Sequence, residues 1–297
     1  MPKGVLLKGH SIAEKLQQDI RGRADALVAQ YGQKIKIAAL SVGENEGSLV
    51  YLKSQQKVSE KMGIVHEIIQ FPESVSLDRL IRAVNELNHD DAVHGVIIQM
   101  PLPEHLPMGK VLGVLDPQKD IEGIHADNLG LLVLKKSRLV PCTALAVMRT
   151  IEESGVDLYG SEVVIVGSSK IVGRPVALLL MDKMATVTVC NIATFERSRL
   201  REHVRRAEIL IVAAGQPELI PGEWIRKGAV VVDVGINRVN GTIVGDVVFE
   251  EAVEKAGYIT PVPGGIGPLT VTILMQNAVT AYAMLHETDI KQDCDSV

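Results

Sequence analysis

The sequence is poor in cysteine, in long hydrophobic runs and in aromatic residues, and the first two shortages exclude whole classes of protein. Its three cysteines are odd in number and far apart, at Cys142, Cys190 and Cys294. Such spacing fits neither a disulfide framework nor a metal cluster, so we expect free thiols and no metal site. No apolar run is long enough to form a signal-peptide core or to span a bilayer. We therefore expect no membrane partner and a cytoplasmic location.

An excess of charge of one sign is also missing. The formal net charge is -5 over 297 residues, and lysine and arginine form no sustained block. A surface that follows nucleic-acid phosphates is therefore not expected. The chain is 46% hydrophobic and 23% charged, which is typical of globular domains with real cores. Small molecules are the expected partners.

What the sequence does contain is a regular alternation of strand and helix patterns. Runs rich in β-branched residues, at 34–43, 65–71 and 94–100, alternate with segments of helical periodicity. A second series of the same kind begins near Thr143. Alternation of this kind predicts right-handed βαβ units on a parallel sheet, and so an α/β fold.

The length of the chain and the restart of the pattern predict two domains. We predict the first domain over residues 1–145 and the second over residues 146–268. An apolar helix at 269–287 is expected to return to the first domain and complete it. The polar residues 288–297 are expected to form a disordered tail.

A turn of small residues follows one of the strand patterns. The stretch "VVIVGSSKIVGRP" places Gly167 at the end of a strand and Gly173 at the start of a helix. Backbone N–H groups at such a helix N-terminus bind a pyrophosphate in dinucleotide-binding proteins. Ser169 occupies the second glycine position of the usual fingerprint, so a plain strand-to-helix turn is the alternative.

Two further glycine-rich stretches follow strand patterns. "DVGIN", at 233–237, ends a strand where ligands collect at the carboxyl edge of a parallel sheet, and a simple turn is the alternative. "TPVPGGIGPLT", at 260–270, concentrates glycine and proline around Gly264 and Gly265. Such a loop suits the close approach of a flat ligand, and a rigid interdomain loop is the alternative.

Seven motifs occur in the order seen in one enzyme family: "QMPLP", "KDIEG", "PCT", "VGSSKIVGRP", "DVGIN", "GDV" and "TPVPGGIGPLT". By these motifs the chain resembles the bifunctional methylenetetrahydrofolate dehydrogenase/cyclohydrolase family over residues 5–287. The resemblance implies an N-terminal α/β substrate domain, a C-terminal Rossmann-type nicotinamide-binding domain and a cleft between them. It also implies tetrahydrofolate derivatives as substrates, NAD or NADP as cofactor, and a homodimer.

The resemblance assigns roles to individual residues. Tyr51 is expected to stack near the pterin, and Gln99 to make a polar contact in the active site. An ordinary residue of an amphipathic helix and a capped strand end are the alternatives. The residues expected at the cofactor are Gly167, Ser168, Ser169, Ile192, Gly235 and Ile236. The residues expected to bind substrate from the glycine loop are Pro263, Gly264 and Gly265.

Two positions depart from the family pattern. The family reads S-x-x-Y-V-x-x-K where this chain reads "SLVYLKSQ", so Gln55 replaces a lysine. Positions i and i+4 of a helix share a face, so Gln55 is expected to share the face of Tyr51. Lys53 and Lys57 are expected to point elsewhere. The family's K-D-V-D-G reads "KDIEG", so the longer Glu122 replaces the pterin-binding aspartate.

These departures affect the two family reactions differently. Oxidation of methylenetetrahydrofolate needs the folate and nicotinamide rings in contact, with no obligatory protein base. Hydrolysis of the methenyl product needs a group that moves a proton, which a lysine supplies and an amide does not. We therefore predict a dehydrogenase with impaired cyclohydrolase activity. Its candidate catalytic residues are Tyr51, Gln55, Gln99 and Glu122.

Three alternatives stay open on the sequence. The first is a fully bifunctional enzyme that yields 10-formyltetrahydrofolate, and the second is a non-catalytic folate-binding paralogue. The third is another two-domain dehydrogenase, for which no suitable His/Asp or Arg/His pair is found in the sequence.

The cofactor prediction favours NAD. Family members that prefer NADP carry an arginine after the first turn glycine, or a Ser/Lys pair after the next strand. In this chain the first position is Ser168, and the residues after the next strand are "NIAT" at 191–194. Arg197 and Arg199 lie slightly further along and could compensate.

Overall fold

The structure, a computed structural model, describes residues 3–295 and the side chains of all of them except Glu46 and 288–295. Strands and helices alternate along the chain, which confirms the predicted α/β class. The elements in chain order are β1 (Val5–Leu6), α1 (Gly9–Tyr31), β2 (Lys36–Val42), α2 (Glu46–Lys61), β3 (Val65–Phe71), α3 (Leu77–Asn88), β4 (Gly95–Ile98), α4 (Met108–Leu112), α5 (Ala126–Val133), α6 (Cys142–Glu153), β5 (Glu162–Val166), α7 (Gly173–Asp182), β6 (Thr186–Cys190), α8 (Ile192–Glu196), α9 (Leu200–Arg206), β7 (Ile209–Val212), a 3₁₀ turn (Gly222–Trp224), β8 (Val230–Asp233), β9 (Asn237–Val239), β10 (Thr242–Val244), α10 (Phe249–Ala252), β11 (Tyr258–Ile259) and α11 (Ile266–Asp295).

One compact unit consists of Leu16–Cys142 and Val271–Val297. Its sheet has three parallel strands in the order β3-β2-β4. The central strand β2 is apolar and almost wholly buried, as a strand covered on both faces must be. Asn45 and Ser76 accept hydrogen bonds from backbone N–H groups in the first turns of α2 and α3, so these side chains fix where both helices begin.

The second compact unit consists of Met1–Lys15 and Thr143–Thr270. Its sheet has six parallel strands in the order β1-β11-β8-β7-β5-β6. Strands β5, β7 and β8 are almost wholly buried, and their carboxyl ends lie at one edge of the sheet. This is the Rossmann-like sheet that the sequence predicts. Ligands of such sheets bind outside this edge, so the loops after these strands are the place to look for a site.

The N-terminal segment belongs to the second unit, which differs from the predicted division at residue 145. Gly4 N donates a hydrogen bond to Val253 O, and β1 pairs in parallel with β11. The segment before residue 16 therefore extends the larger sheet. A strand of two residues is too short to be recognised from an alternating pattern.

The last helix is longer than the predicted 269–287 at both ends. It begins at Ile266 and continues to Asp295, so residues 288–295 are helical where a disordered tail is predicted. Residues 296–297 of that predicted tail lie outside the described residues. No proline or glycine follows Pro268 in the sequence, so no helix-breaking residue interrupts α11.

Membrane-spanning and metal-binding features are absent from the part of the chain that the structure describes. None of its helices combines the length and the apolar content needed to cross a bilayer. Within the same residues, no three His, Cys, Asp or Glu side chains are grouped so that they could hold a metal ion. Cys142 and Cys190 are free thiols, as predicted, and the side chain of Cys294 lies outside the description.

A buried histidine packs against the C-terminal helix in the three-stranded unit. His94 Nδ1 accepts a hydrogen bond from Lys36 N at 3.1 Å, and its Nε2 is buried without a partner. The rings of Tyr282 and His286 lie 4.6 Å and 5.8 Å from the His94 ring, measured between centroids. Burial, followed by the nearby His286, lowers the pKa of His94 to about 4. The folded protein therefore requires the neutral ring.

We expect acid to destabilise the protein through His94. Because the folded-state pKa is about 4 and the ordinary value is 6.5, the neutral ring contributes its full stability above pH 6.5 and loses it as the pH falls towards 4. The free energy of unfolding should fall by on the order of 2 kcal/mol across this interval. Urea unfolding at several pH values measures it.

The matched variants for this prediction are His94→Asn and His89→Asn. An asparagine at 94 can still accept from Lys36 N but does not titrate, so its pH dependence should be flatter. His89 is exposed directly after α3, where its ring Nδ1 bonds to Asn85 O, and replacing it should leave the pH dependence unchanged. Equal slopes for His94→Asn and the unmodified chain would contradict the prediction.

Candidate active site

One face of helix α2 carries the first candidate residues. Gln55 is 1% exposed and Tyr51 is partly buried, whereas Lys53 and Lys57 are exposed. The helical-phase prediction is therefore confirmed: Gln55 shares the inward face of Tyr51, and neither lysine does. The helix is fixed at its start because Asn45 Oδ1 accepts from Ser48 N at 3.0 Å.

A buried carboxylate organises the loop that carries Glu122. Asp120 accepts hydrogen bonds from Gly123 N at 3.1 Å, from His125 N at 2.7 Å and from the side-chain amide of Asn128 at 2.9 Å. Gly123 has φ +72, which glycine adopts without strain. Helix α5 begins at Ala126, one residue after the His125 side chain that caps it. The loop is therefore a rigid support for Glu122.

Glu122 and Tyr51 are electrostatic neighbours. Burial, followed by the charge of Asp120, raises the pKa of Glu122 to about 8, so this carboxyl is mostly protonated near neutral pH. Burial raises the pKa of Tyr51, and the neighbouring Cys142 and Glu122 add to the effect. A side-chain hydrogen bond with Gln55 partly opposes it. The predicted residues of α2 and of the 120–128 loop thus lie together.

Gln99 completes this group at the end of β4. Its Nε2 donates to Met100 O at 3.1 Å, and Ser48 Oγ donates to the same carbonyl oxygen at 3.1 Å. The start of α2 is thereby tied to the segment after β4. The Oε1 atoms of Gln99 and Gln55 are both buried without a hydrogen-bond partner. Unpaired buried acceptors are uncommon and mark a place where a ligand can donate.

A second group of residues lies in the six-stranded unit, in the turn between β5 and α7. Gly167 has φ +118, and a Cβ there would overlap the carbonyl oxygen of Ala213. A Cβ at Gly173 would overlap the carbonyl oxygen of Gly167. The hydroxyl of Ser169 accepts from Val172 N at 3.1 Å and from Gly173 N at 3.4 Å. Two of the N–H groups that the sequence predicts to be free are therefore already capped by Ser169.

Two buried aspartates join the loops at the carboxyl edge of the same sheet. Asp246 accepts from Ala214 N at 2.7 Å, from Gly215 N at 2.9 Å and from the Asn237 side-chain amide at 2.8 Å. Asp233 accepts three backbone N–H groups, including that of Asp246 at 3.0 Å. Burial raises the pKa of Asp233 to about 6, against the effect of these hydrogen bonds. The loops after β7 and β8 are thus fixed by carboxylates.

Comparison with known proteins agrees with a site in each unit, one around Gln55 and Glu122 and one at the turn between β5 and α7. A family model described as the catalytic domain of tetrahydrofolate dehydrogenase/cyclohydrolase matches residues 7–122. A model described as the NAD(P)-binding domain of the same enzymes matches residues 141–286. The chain belongs to the tetrahydrofolate dehydrogenase/cyclohydrolase family. The predicted resemblance is therefore confirmed.

Relatives in this family are similar to the chain over nearly its whole length. The "Bifunctional protein FolD" of Nitrosospira multiformis is 42% identical over 282 residues, which are 95% of this chain and 96% of that protein. The crystal structure of the bifunctional enzyme FolD from Campylobacter jejuni is 40% identical, with a TM-score of 0.90 over 94% of this chain and 98% of that one. The Trypanosoma brucei enzyme, solved with NADP and an inhibitor, is 36% identical, with a TM-score of 0.91 over 96% of this chain and 99% of that one.

The remaining candidate residues lie in the NAD(P)-binding domain, some of them exposed and some buried. Ile192 and Ile236 are 66% and 68% exposed at the ends of β6 and β8, where an apolar side chain gains by covering a ligand. Gly235 leaves no room for a Cβ beside the Asp246 carboxylate. In the glycine loop, Gly264 has φ +103 and its carbonyl accepts from Gly9 N at 2.9 Å. Pro263 is exposed and Gly265 is buried.

The sequence motifs alone did not predict a structural role for several residues that hold loops in place in the two domains. Asp233 and Asp246 lie inside the quoted motifs "DVGIN" and "GDV", and Asp120 inside "KDIEG". An acidic residue at the end of an apolar strand was the available signal for Asp233, which ends β8. Asn277 donates to Ile121 O and Val140 O, both at 2.9 Å, and its signal was an amide within an apolar stretch of helix.

We expect Asp246→Ala to lower the free energy of unfolding by about 3 kcal/mol, because it leaves three donors without an acceptor, at about 1–3 kcal/mol each. Urea unfolding measures the change. The control is Glu254→Ala, which removes only an exposed ion pair with Lys3 and should cost about 0.5 kcal/mol or less. Similar losses in the two variants would contradict the role given to Asp246.

Proposed function

We propose that this chain oxidises 5,10-methylenetetrahydrofolate to 5,10-methenyltetrahydrofolate with a nicotinamide dinucleotide, and that it does not hydrolyse the product effectively. Membership of the family supports the oxidation. The single observation that carries the second half is Gln55, which occupies the buried face of α2 in place of the family lysine.

The turn after β5 fits a dinucleotide. Gly167 and Gly173 bring the backbone close together because neither has room for a Cβ, and α7 directs its N-terminus to the carboxyl edge of the sheet. A helix N-terminus favours the negative charge of a pyrophosphate. Ser168 and Ser169 line this turn, and Ile192, Gly235 and Ile236 follow the neighbouring strands. When bound, the nicotinamide ring supplies the acceptor for the hydride.

In the folate site, the residues of this chain bind and orient the folate substrate. Tyr51 offers a ring for stacking, and Gln55 and Gln99 offer unpaired carbonyl oxygens. Glu122, whose raised pKa of about 8 keeps it protonated, can donate a hydrogen bond to a ring nitrogen or carbonyl. Oxidation needs no further proton transfer, because the folate nitrogens stabilise the positive charge that forms as the hydride leaves.

Hydrolysis of the methenyl product has different requirements. Water must be activated, and a proton must reach the departing nitrogen. The amide of Gln55 has no proton equilibrium near neutral pH, so it does neither. The second candidate function is a fully bifunctional enzyme, which the names of the relatives favour. A non-catalytic folate-binding protein is less well supported, because the cofactor turn is intact.

The experiment is to mix the purified protein with methylenetetrahydrofolate and either NAD or NADP and to follow reduced cofactor and folate species together. Reduced cofactor with persistent methenyl product supports the proposal. Reduced cofactor with 10-formyl product supports the bifunctional alternative. A folded protein that forms no reduced cofactor with either dinucleotide would rule out both.

We expect NAD to be preferred over NADP. Ser168 is uncharged, and Asn191 and Thr194 cap α8 by a reciprocal pair of hydrogen bonds, so the groups after β6 are neutral and engaged with the backbone. An NADP 2′-phosphate therefore meets no arginine or lysine at these two places. The kcat/KM for NAD should exceed that for NADP by about tenfold or more, which is about 1.4 kcal/mol. An advantage for NADP that Arg197→Ala or Arg199→Ala removes would contradict this.

We also propose a homodimer, as the resemblance implies. Strand β3 pairs only with β2 in the described three-stranded sheet, and several residues of this edge strand are exposed. An exposed strand edge is a surface on which a second copy can pair. Sedimentation equilibrium tests the proposal, and a monomer at all concentrations would refute it.

A further inference from the structure

The folate site contains two acceptor atoms with no hydrogen-bond partner among the residues that the structure describes. Gln55 and Gln99 are only 1% and 8% exposed, and the Oε1 atom of each is buried without a hydrogen-bond partner. Burial of an unpaired acceptor is unfavourable, so a bound molecule that brings donors or positive charge is stabilised here.

The charges around these two Oε1 atoms also favour a bound molecule that carries positive charge. The Asp120 carboxylate lies on the adjoining loop, and the neighbouring Glu122 carboxyl, mostly protonated near neutral pH, gains negative charge as the pH rises. The nearby lysines are all directed elsewhere, since Lys53 and Lys57 are exposed and Lys119 Nζ donates to two main-chain carbonyls at 2.9 Å. The face of an aromatic ring, here that of Tyr51, also attracts a cation.

We infer that this site binds the cationic methenyl form of the folate more tightly than an uncharged reduced folate, because Gln55 presents a neutral acceptor where a lysine would repel the positive charge. The inference rests on the proposed function. Its consequence is that the oxidised product is retained in the site, where the same enzyme can reduce it again.

The test compares two dissociation constants without any cofactor. Binding of methenyltetrahydrofolate and of tetrahydrofolate is measured by rapid mixing, before the methenyl compound hydrolyses. The affinity ratio, methenyl over tetrahydrofolate, should fall by about tenfold in Gln55→Lys, as expected for a like charge a few ångströms away in a partly buried site. The matched control is Gln56→Lys, which adds the same charge at the next position of α2 and should leave the ratio unchanged.

A second measurement uses pH. The titratable groups that face Glu122 are Asp120, Tyr51 and Cys142. Burial raises the pKa of Glu122 to about 8, and a bound cation favours its ionised form. The affinity ratio should therefore rise as the pH is raised towards 8, and Glu122→Gln should abolish this rise.

The outcomes separate the two proposals. If both folates bind and the ratio is the same in the unmodified chain and in Gln55→Lys, the inference is overturned and the proposed function stands. A ratio that does not depend on pH also counts against it. If neither folate binds to the folded protein, the proposed function fails and the inference fails with it.

Discussion

Gln55→Lys is expected to raise the rate of methenyltetrahydrofolate hydrolysis by about 10²–10⁴-fold, the usual contribution of general acid–base catalysis. The substitution places an amine on the buried face of α2 that Tyr51 shares, where it could exchange a proton with a bound folate. Burial lowers the pKa of a lysine, which brings its proton equilibrium closer to neutral pH. Decay of the methenyl compound, followed without cofactor, measures the effect.

Glu122 is expected to limit the increase in hydrolysis rate of Gln55→Lys. It replaces a shorter aspartate, so the folate can lie slightly differently from its position in a lysine-containing relative. The double variant Gln55→Lys with Glu122→Asp restores both family residues and should hydrolyse at least as fast as Gln55→Lys. The control Gln56→Lys should not raise the rate. If the unmodified chain already hydrolyses the methenyl compound as fast as it forms it, then Lys53→Ala and Lys57→Ala will show which lysine reaches the site.

The second large effect is expected from Gly173→Val. Any Cβ at this position overlaps the carbonyl oxygen of Gly167, so the backbone of the cofactor turn must move. A displacement of about 1 Å in a positioning element can cost about 10²-fold in rate, and we expect a loss of that size or more in dehydrogenation. Binding of NAD should weaken, whereas binding of tetrahydrofolate should be unchanged.

The control for this variant is Gly22→Ala. Gly22 is an exposed residue of α1, and nothing lies within 4 Å of the position that a Cβ would occupy, so the substitution should leave both activities unchanged. It should slightly stabilise the helix, by about 0.5–1 kcal/mol. Normal NAD binding by Gly173→Val would show that the turn is not where the cofactor binds.

Local patterns in the sequence were sufficient to predict most of the strands and helices and one decisive feature of the site, the inward face of α2. The strand pattern at 65–71 is β3 residue for residue, because its β-branched and aromatic residues favour an extended chain. The burial of Gln55 and the exposure of Lys53 and Lys57 follow from helical geometry alone. Features of this kind depend only on neighbours along the chain.

The residues that the sequence did not reveal act across long distances along the chain. Strand β1 exists because β11, about 250 residues later, offers it a partner. Asp246 is recognisable as a support only when the loop at Ala214 and Gly215 lies beside it. The unpaired oxygens of Gln55 and Gln99 and the raised pKa of Glu122 likewise arise from burial by other elements. Such effects require the folded chain.

The proposed function is that this family member oxidises its folate substrate and leaves the product unhydrolysed. One reaction tests it most directly: unmodified protein, methylenetetrahydrofolate and NAD, with reduced cofactor, methenyltetrahydrofolate and 10-formyltetrahydrofolate quantified at the same time points. We expect methenyltetrahydrofolate to accumulate in step with reduced cofactor and then to decay at close to the uncatalysed rate. Formation of 10-formyltetrahydrofolate as fast as reduced cofactor, with no accumulation of the methenyl compound, would contradict it.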